Sequence, residues 1–81
     1  MLGGVRLITP AAQILLALAR ADSPLSYGEI VEITGLPPAT VDLNVKKLLA
    51  EGLVERRGRR YVLTAAGRAR VESLIAEVVG G

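Results

Sequence analysis

The segment that most limits the possible folds is residues 35–64, in which signals for a turn, a helix and a hairpin follow one another without a linker. Gly35 is placed to end a helix in the left-handed conformation, and the two prolines shortly after it favour the start of another. That helix is predicted over residues 38–51. Two short strands within residues 53–63 surround Gly58, with β-branched and aromatic residues on the return strand. The segment therefore predicts a helix followed at once by a small antiparallel hairpin.

The composition favours a small core built mainly from helices. The chain has 81 residues, of which 51% are hydrophobic, but its only aromatic residues are two tyrosines. The core must therefore consist of Leu, Ile, Val and Ala side chains. A domain of this size buries only about 60% of the surface that its unfolded chain exposes. We expect a single domain over residues 1–81, with its core at 9–79 and flanking tails at 1–8 and 80–81.

The absence of Cys and His excludes several kinds of chemistry. Disulfides, thiol chemistry, zinc sites of the Cys/His type and acid–base catalysis by histidine all require these residues. No Gly-rich phosphate loop precedes a Lys-Ser or Lys-Thr pair, and the acidic residues are spread along the chain. No stretch approaches the roughly 18 apolar residues of a membrane span. We therefore predict a cytoplasmic protein that is not an enzyme and has no cofactor, metal or membrane segment.

Capping signals place two helices before the segment described above. Thr9 and Ser26 each precede a helical pattern of apolar residues, and their hydroxyl groups can accept hydrogen bonds from first-turn N–H groups. Ser26 also stands three residues before Glu29, which is the spacing of a capping box. These signals predict one helix from residue 10 to about 20 and another from 27 to 34.

A last helix is predicted from residue 65 to about 79, after a cap at Thr64. Apolar residues at helical spacing indicate which side chains of the helices are buried, and Leu36, after the turn, is expected to plug the core. The expected core residues of the first three helices are Ala11, Ile14, Leu15, Leu18, Ile30, Ile33, Val41, Val45, Leu48 and Leu49. The apolar side of the last helix is expected to consist of Val71, Leu74, Ile75 and Val78.

The predicted order is helix, helix, helix, hairpin, helix, which is a mainly α fold with a small β hairpin. This order and several short motifs resemble the winged helix-turn-helix regulators of the MarR and ArsR type. The resemblance covers about residues 9–79 and rests on the motifs 25–30 (LSYGEI), 35–36 (GL), 40–41 (TV), 46–48 (KKL), 51–56 (EGLVER) and 63–68 (LTAAGR). It implies a three-helix core, a two-stranded wing, a C-terminal helix, and a regulator of transcription that binds double-stranded DNA.

In the proteins that this chain resembles, the third helix enters the major groove and the wing lies on the backbone or in the minor groove. The wing here gathers four of the ten basic residues of a chain whose net charge is +2. Arginine carries a fixed charge and donors that suit phosphate, and a narrow minor groove attracts it. The leading candidates for DNA contact are therefore Arg56, Arg57, Arg59 and Arg60. The alternative is a solvated hairpin in which Glu55 pairs across the strands.

The outward arc of helix 38–51 provides candidates for contact with bases. Asp42 can accept a hydrogen bond from a cytosine amino group, and Ala39 or Leu43 can touch a thymine methyl group. Asp42 would also repel phosphate, and Leu43 can instead mark contact with another protein. Asn44 lies at the side of the helix, where it faces either the core or DNA.

Three further residues are candidates for contact with phosphate. Thr40 lies in the first turn of the third helix, where a hydroxyl and backbone N–H groups can meet an anion. Lys46 lies on the outward arc of the same helix and can reach a phosphate or a base edge. Tyr27 begins the second helix, where its ring can pack against the protein while its hydroxyl points to a phosphate.

The terminal segments are expected to form a homodimer. The apolar side of the last helix can pack on the first helix, on an identical subunit or on both, and Leu2, Val5, Leu7 and Ile8 can extend such an interface. A two-fold dimer predicts half-sites about 34 Å apart, one turn of duplex, or a multiple of that distance. The alternative is a winged-helix interaction module of a larger complex, with Leu43 and the terminal helices as its surface.

Overall fold

The computed structural model describes the backbone of residues 8–80 and the side chains of residues 8–77. Four helices and three strands follow one another in the predicted order, with one strand added before the second helix. In chain order they are α1 (Pro10–Arg20), β1 (Leu25–Ser26), α2 (Tyr27–Thr34), α3 (Pro38–Ala50), β2 (Val54–Arg57), β3 (Arg60–Leu63) and α4 (Ala65–Gly80). The mainly α fold with a small hairpin is confirmed.

The predicted caps determine where α1 and α2 begin and where α2 ends. The Thr9 hydroxyl accepts a hydrogen bond from the Ala12 N–H at 3.1 Å. The capping box of α2 is complete, because the Ser26 hydroxyl accepts from the Glu29 N–H at 3.1 Å and the Glu29 carboxylate accepts from the Ser26 N–H at 2.8 Å. Gly35 ends α2 with φ at 71°, in the left-handed region that favours glycine.

The three strands form one antiparallel sheet in the order β1-β3-β2. Leu25 of β1 lies opposite Tyr61, and Glu55 of β2 lies opposite Val62. Gly58 turns the chain between β2 and β3 with φ at 63°. The sequence did not predict β1, because two residues are too few to show the alternation of a strand. This short strand attaches the hairpin to the start of α2.

The core lies between α1, α2, α3 and the base of the sheet. Most of the predicted core residues are buried there, and Leu25, Leu53 and Val54 of the sheet region complete it. Leu36 and Leu49 pack against it while partly exposed, as does Leu74 of α4. The four largest side chains with almost no solvent exposure are Ile14, Ile30, Val41 and Leu48.

Ile33 contradicts its prediction as a core residue, because 58% of its surface is exposed. It borders a groove between α1 and α2 whose walls include Ile8, Leu16 and Ala17. Helical spacing places Ile33 near the apolar side of α2, but no described residue closes the groove over it. The groove therefore leaves an apolar side chain facing solvent.

The start of α4 packs closely against the turn between α3 and β2. The Thr64 N–H donates to the Leu53 carbonyl at 3.1 Å, and the Thr64 hydroxyl donates to the Gly52 carbonyl at 2.6 Å. Thr64 also caps α4, since its hydroxyl accepts from the Gly67 N–H at 3.0 Å. A Cβ atom on Gly67 would lie 1.9 Å from the Leu53 carbonyl oxygen, so only glycine fits at this contact.

The later part of α4 is less buried than its start. Val71 is buried and Leu74 is half-buried, whereas Ile75 is 50% exposed. The side chain of Val78 lies outside the described residues, as do Leu2, Val5, Leu7 and Gly81. No helix within residues 8–80 combines the length and the apolar character needed to cross a membrane.

Candidate nucleic-acid interface

The wing, defined as β2, β3 and the turn between them, holds its arginines in different surroundings. Arg56 is anchored at the turn, because its Nε atom donates to the Gly58 carbonyl at 3.3 Å. Its guanidinium carbon also lies 6.0 Å from the centroid of the Tyr61 ring, at the outer limit of a cation–π contact. Arg56 nevertheless remains exposed. The turn and the ring thus restrict its stem and leave the charge in solvent.

Arg57 and Arg59 are the two wing arginines with the most freedom to meet a ligand. Arg57 lies beside Glu55 of the same strand, with 3.7 Å between its Nε atom and the carboxylate, and both side chains are more than half exposed. Ion pairs of this kind are weak because water screens them. Arg59 forms no ion pair with any side chain of residues 8–77. Glu55 does not pair across the strands, as the alternative of a solvated hairpin supposed, because it pairs with Arg57 on its own strand and faces Val62 across the sheet.

The Arg60 side chain is hydrogen-bonded within the protein. Its Nη1 atom lies 2.7 Å from Oε1 of Glu29 and 3.0 Å from the carbonyl oxygen of Pro24. The pairing of β1 with β3 creates this contact, because it sets Ser26 opposite Arg60 and so brings the start of α2 beside the first residue of β3, next to the turn of the wing. The sequence revealed the place of Glu29 through its capping box, but nothing in it indicated a partner on the wing.

The Glu29 carboxyl group titrates below its ordinary range. The hydrogen bond from the Ser26 N–H is the main cause that lowers the pKa of this carboxylate. Partial desolvation raises the pKa, and the charge of the Arg60 guanidinium lowers it by a smaller amount. Glu29 is therefore ionised at neutral pH. One carboxylate thus caps α2 and holds the wing.

Tyr27 connects the starts of α2 and α3. Its hydroxyl group donates to the Pro38 carbonyl oxygen at 2.5 Å. A hydroxyl has one proton, so this bond uses the donor that a phosphate would need. Since Arg60 joins the wing to the start of α2, the wing and the first turns of α2 and α3 are linked by side-chain hydrogen bonds. These three parts form one connected surface.

The outward arc of α3 is exposed at Ala39, Asp42, Leu43 and Lys46, as predicted from helical stepping. The Lys46 ammonium lies 3.1 Å from the Asp42 carboxylate, so the negative charge has a neighbouring cation. Leu43 is 62% exposed. The arc thus combines a neutralised ion pair with apolar side chains.

Thr40 and Asn44 lie at the side of α3 and are half-buried. The Asn44 side-chain amide donates to the Thr40 carbonyl oxygen at 2.8 Å. The sequence left open whether Asn44 faces the core or DNA, and in the structure its amide is bonded to the helix itself.

The family model of the IclR helix-turn-helix domain matches residues 8–58, which contain α1, α2, α3 and the strands β1 and β2. No curated protein matches the chain.

Several solved structures are similar to the chain. The MarR family protein Rv2887 of Mycobacterium tuberculosis is 28% identical over 98% of this chain, with a TM-score of 0.79, and its complex with DNA gives the same identity and coverage with a TM-score of 0.80. A MarR family transcriptional regulator from Silicibacter pomeroyi is 28% identical over 99% of this chain, with a TM-score of 0.70. The chain spans 60% to 62% of the length of these proteins. These likenesses confirm the predicted winged helix-turn-helix fold and the resemblance to regulators of this type.

Proposed function

The chain belongs to the IclR helix-turn-helix domain family, and we propose that it binds double-stranded DNA and regulates transcription. The observation that carries this proposal is the exposed cluster of Arg56, Arg57 and Arg59 on a wing that is bonded to the start of α2. Clustered guanidinium groups attract phosphate and release its counterions. The DNA complex of the Rv2887 protein, which has a similar fold, supports the same function.

We place α3 in the major groove, which is about 12 Å wide and admits one helix. Ala39, Asp42, Leu43 and Lys46 would then face the base edges, because they occupy the exposed arc of α3. Thr40 and the N–H groups of the first turn would lie near phosphate. The wing would follow the adjacent backbone or enter the neighbouring minor groove.

Arg60 and Tyr27 have a different role in this proposal. Both side chains donate to oxygen atoms of the protein, Arg60 to Glu29 and Tyr27 to Pro38. A DNA contact by either group would have to break or share these bonds. We therefore propose that Arg60 and Tyr27 position the wing and the two helix starts, and that Arg56, Arg57 and Arg59 carry the phosphate contacts.

We also propose a homodimer that uses α4. Ile75 is half exposed there, beside the half-buried Leu74, and an apolar side chain gains stability when a second subunit covers it.

Because the proposed ligand is genomic DNA, we propose that the protein lies in the cytoplasm. We assign it no catalytic role. A docking module for another protein is not favoured, because the similar structures include MarR family regulators and a DNA complex.

The test is binding of a fluorescently labelled mixed-sequence duplex, measured by anisotropy at several salt concentrations. We expect affinity to fall steeply with salt, and the double variant Arg57→Ala/Arg59→Ala to bind more weakly. Each phosphate contact adds about 0.9 to the slope of log affinity against log salt, so the double variant should lose about 1.8.

The matched control is Arg68→Ala/Arg70→Ala, which removes the same charge from exposed positions on α4. This control should keep the slope of the unmodified protein. Equal slopes for both double variants would show that the wing makes no phosphate contacts, and the absence of salt-dependent binding would refute the proposed function.

A further inference from the structure

The centre of the exposed arc of α3 is apolar. At about 100° per residue, Ala39, Leu43, Lys46 and Ala50 fall within about 60° of one another around the helix. All four residues are exposed, and three of them end in methyl groups. Leu43 is the largest of these apolar residues, and 62% of its surface is open to solvent. A single exposed leucine is ordinary, but three apolar residues together on the outward side of an amphipathic helix depart from its usual polar pattern.

The polar side chains around Leu43 are already engaged. Lys46 and Asp42 pair with each other at 3.1 Å, across one turn of the helix. Asn44 donates its amide hydrogen to the Thr40 carbonyl oxygen at 2.8 Å. These contacts hold Asp42, Lys46 and Asn44 against the helix, although each keeps further donors or acceptors. Leu43 is exposed and can touch a base without breaking a polar contact.

We infer that Leu43, with Ala39 one turn before it, recognises the C5-methyl group of a pyrimidine in the major groove. This inference rests on the proposed placement of α3 in that groove. Thymine displays the methyl group there beside its O4 acceptor, and uracil and cytosine lack it. The same methyl group occurs on 5-methylcytosine. The chemistry that Leu43 recognises is thus a methylated pyrimidine edge, which contact with an aliphatic side chain removes from water.

The charges on α3 fit this assignment. Lys46 and Lys47 are exposed on the same helix as Leu43 and can face the phosphates that border the groove. Asp42 has its charge balanced by Lys46, so it adds little repulsion. The helix thus offers apolar side chains with two lysines next to them, which suits the floor and walls of a major groove better than an uncharged protein surface.

The test begins with duplexes selected from a random library for binding to the protein. Each selected thymine is then replaced by uracil, which removes only the methyl group. Burial of one carbon predicts about a fourfold loss of affinity at the thymine that Leu43 contacts. The variant Leu43→Ala should bind the thymine and uracil duplexes with equal affinity. Ile33→Ala, which shortens a similarly exposed side chain outside α3, should keep the fourfold preference.

A second arm separates the two sources of the methyl group. The sensitive T·A pair is replaced by a C·G pair with or without the C5-methyl group. Tighter binding of the methylated cytosine would support recognition of any methylated pyrimidine, and equal binding would restrict the inference to thymine.

The inference is overturned if no thymine shows a preference over uracil, or if Leu43→Ala keeps that preference. Either result with a normal salt dependence would leave the proposed DNA binding intact. A protein that binds none of the library at low salt would instead fail the proposed function itself. Thermal unfolding of Leu43→Ala, which should match that of the unmodified protein, shows that the variant is folded.

Discussion

The guanidinium group of Arg60 lies 2.7 Å from the carboxylate of Glu29, 31 positions away in the chain. The same carboxylate oxygen accepts the Ser26 N–H at 2.8 Å. The cap of α2 and the attachment of the start of β3 to α2 therefore depend on one side chain. This arrangement fixes the direction in which the wing leaves the helices, and so the position of Arg57 and Arg59 relative to α3.

Breaking this contact should weaken DNA binding without changing its salt dependence. Glu29→Gln keeps an oxygen for the Ser26 N–H but loses the charge that attracts Arg60. We expect the anisotropy titration to show up to about a fivefold loss of affinity, as for an exposed ion pair, and an unchanged salt slope. Arg59→Ala is the comparison, and its slope should fall by about 0.9. Tighter binding by Glu29→Gln would show instead that Arg60 is a phosphate contact held back by Glu29.

The lowered pKa of Glu29 predicts a pH-dependent contribution to stability. Because the folded pKa lies below the ordinary value of 4.5, the contribution is fully present above pH 4.5 and is lost as pH falls through the folded pKa. Thermal unfolding of the unmodified protein and Glu29→Gln should therefore differ most near neutral pH. The gap in melting temperature should narrow steadily below pH 4.5. A difference in melting temperature that stays constant down to pH 3 would contradict a lowered pKa of Glu29.

The proposed dimer predicts a specific effect of a charge on α4. Ile75 is 50% exposed, so Ile75→Glu should change the stability of the monomer little but place an unpaired charge in a dimer interface. Sedimentation velocity should show a dimer for the unmodified protein and a monomer for this variant. Leu43→Glu, an equally drastic change on α3, should remain dimeric. An unmodified protein that sediments as a monomer at tens of micromolar would exclude the dimer.

The sequence predicted the helices well because their boundaries depend on local contacts. The hydroxyl group of Thr9 and the capping box of Ser26 with Glu29 act within three residues. Gly35 ends α2 by its own backbone conformation. Such contacts can be recognised from neighbouring residues alone. The placement of Arg57 and Arg59 at the exposed end of the hairpin also followed from its local pattern.

Contacts between residues that are far apart in the sequence could not be predicted from local patterns. The strand β1 exists only because it pairs with β3, and the same pairing brings Arg60 to Glu29. The bond from Tyr27 to Pro38 likewise depends on how α2 and α3 pack. Ile33 shows the same limit, since helical spacing identifies a face but not whether another element covers it. The contacts that sequence patterns missed are therefore tertiary contacts, and the positioning roles that we propose for Arg60 and Tyr27 depend on them.

The contact between Gly67 and Leu53 gives the sharpest test of the fold. A Cβ atom at Gly67 would lie 1.9 Å from the Leu53 carbonyl oxygen, which is backbone and cannot rotate away. Gly67→Ala must therefore push α4 off the turn before β2, and we expect a loss of about 1–3 kcal/mol, the usual range for overpacking. Gly28→Ala is the matched control, because Gly28 is also helical and its Cβ would meet no atom within 4 Å. Both variants are compared with the unmodified protein by urea unfolding. Alanine suits a helix better than glycine, so the control should gain up to about 1 kcal/mol in free energy of unfolding. Since α4 also carries the proposed dimer surface, Gly67→Ala should weaken self-association as well. If Gly67→Ala is as stable as the unmodified protein, α4 does not pack against the turn before β2.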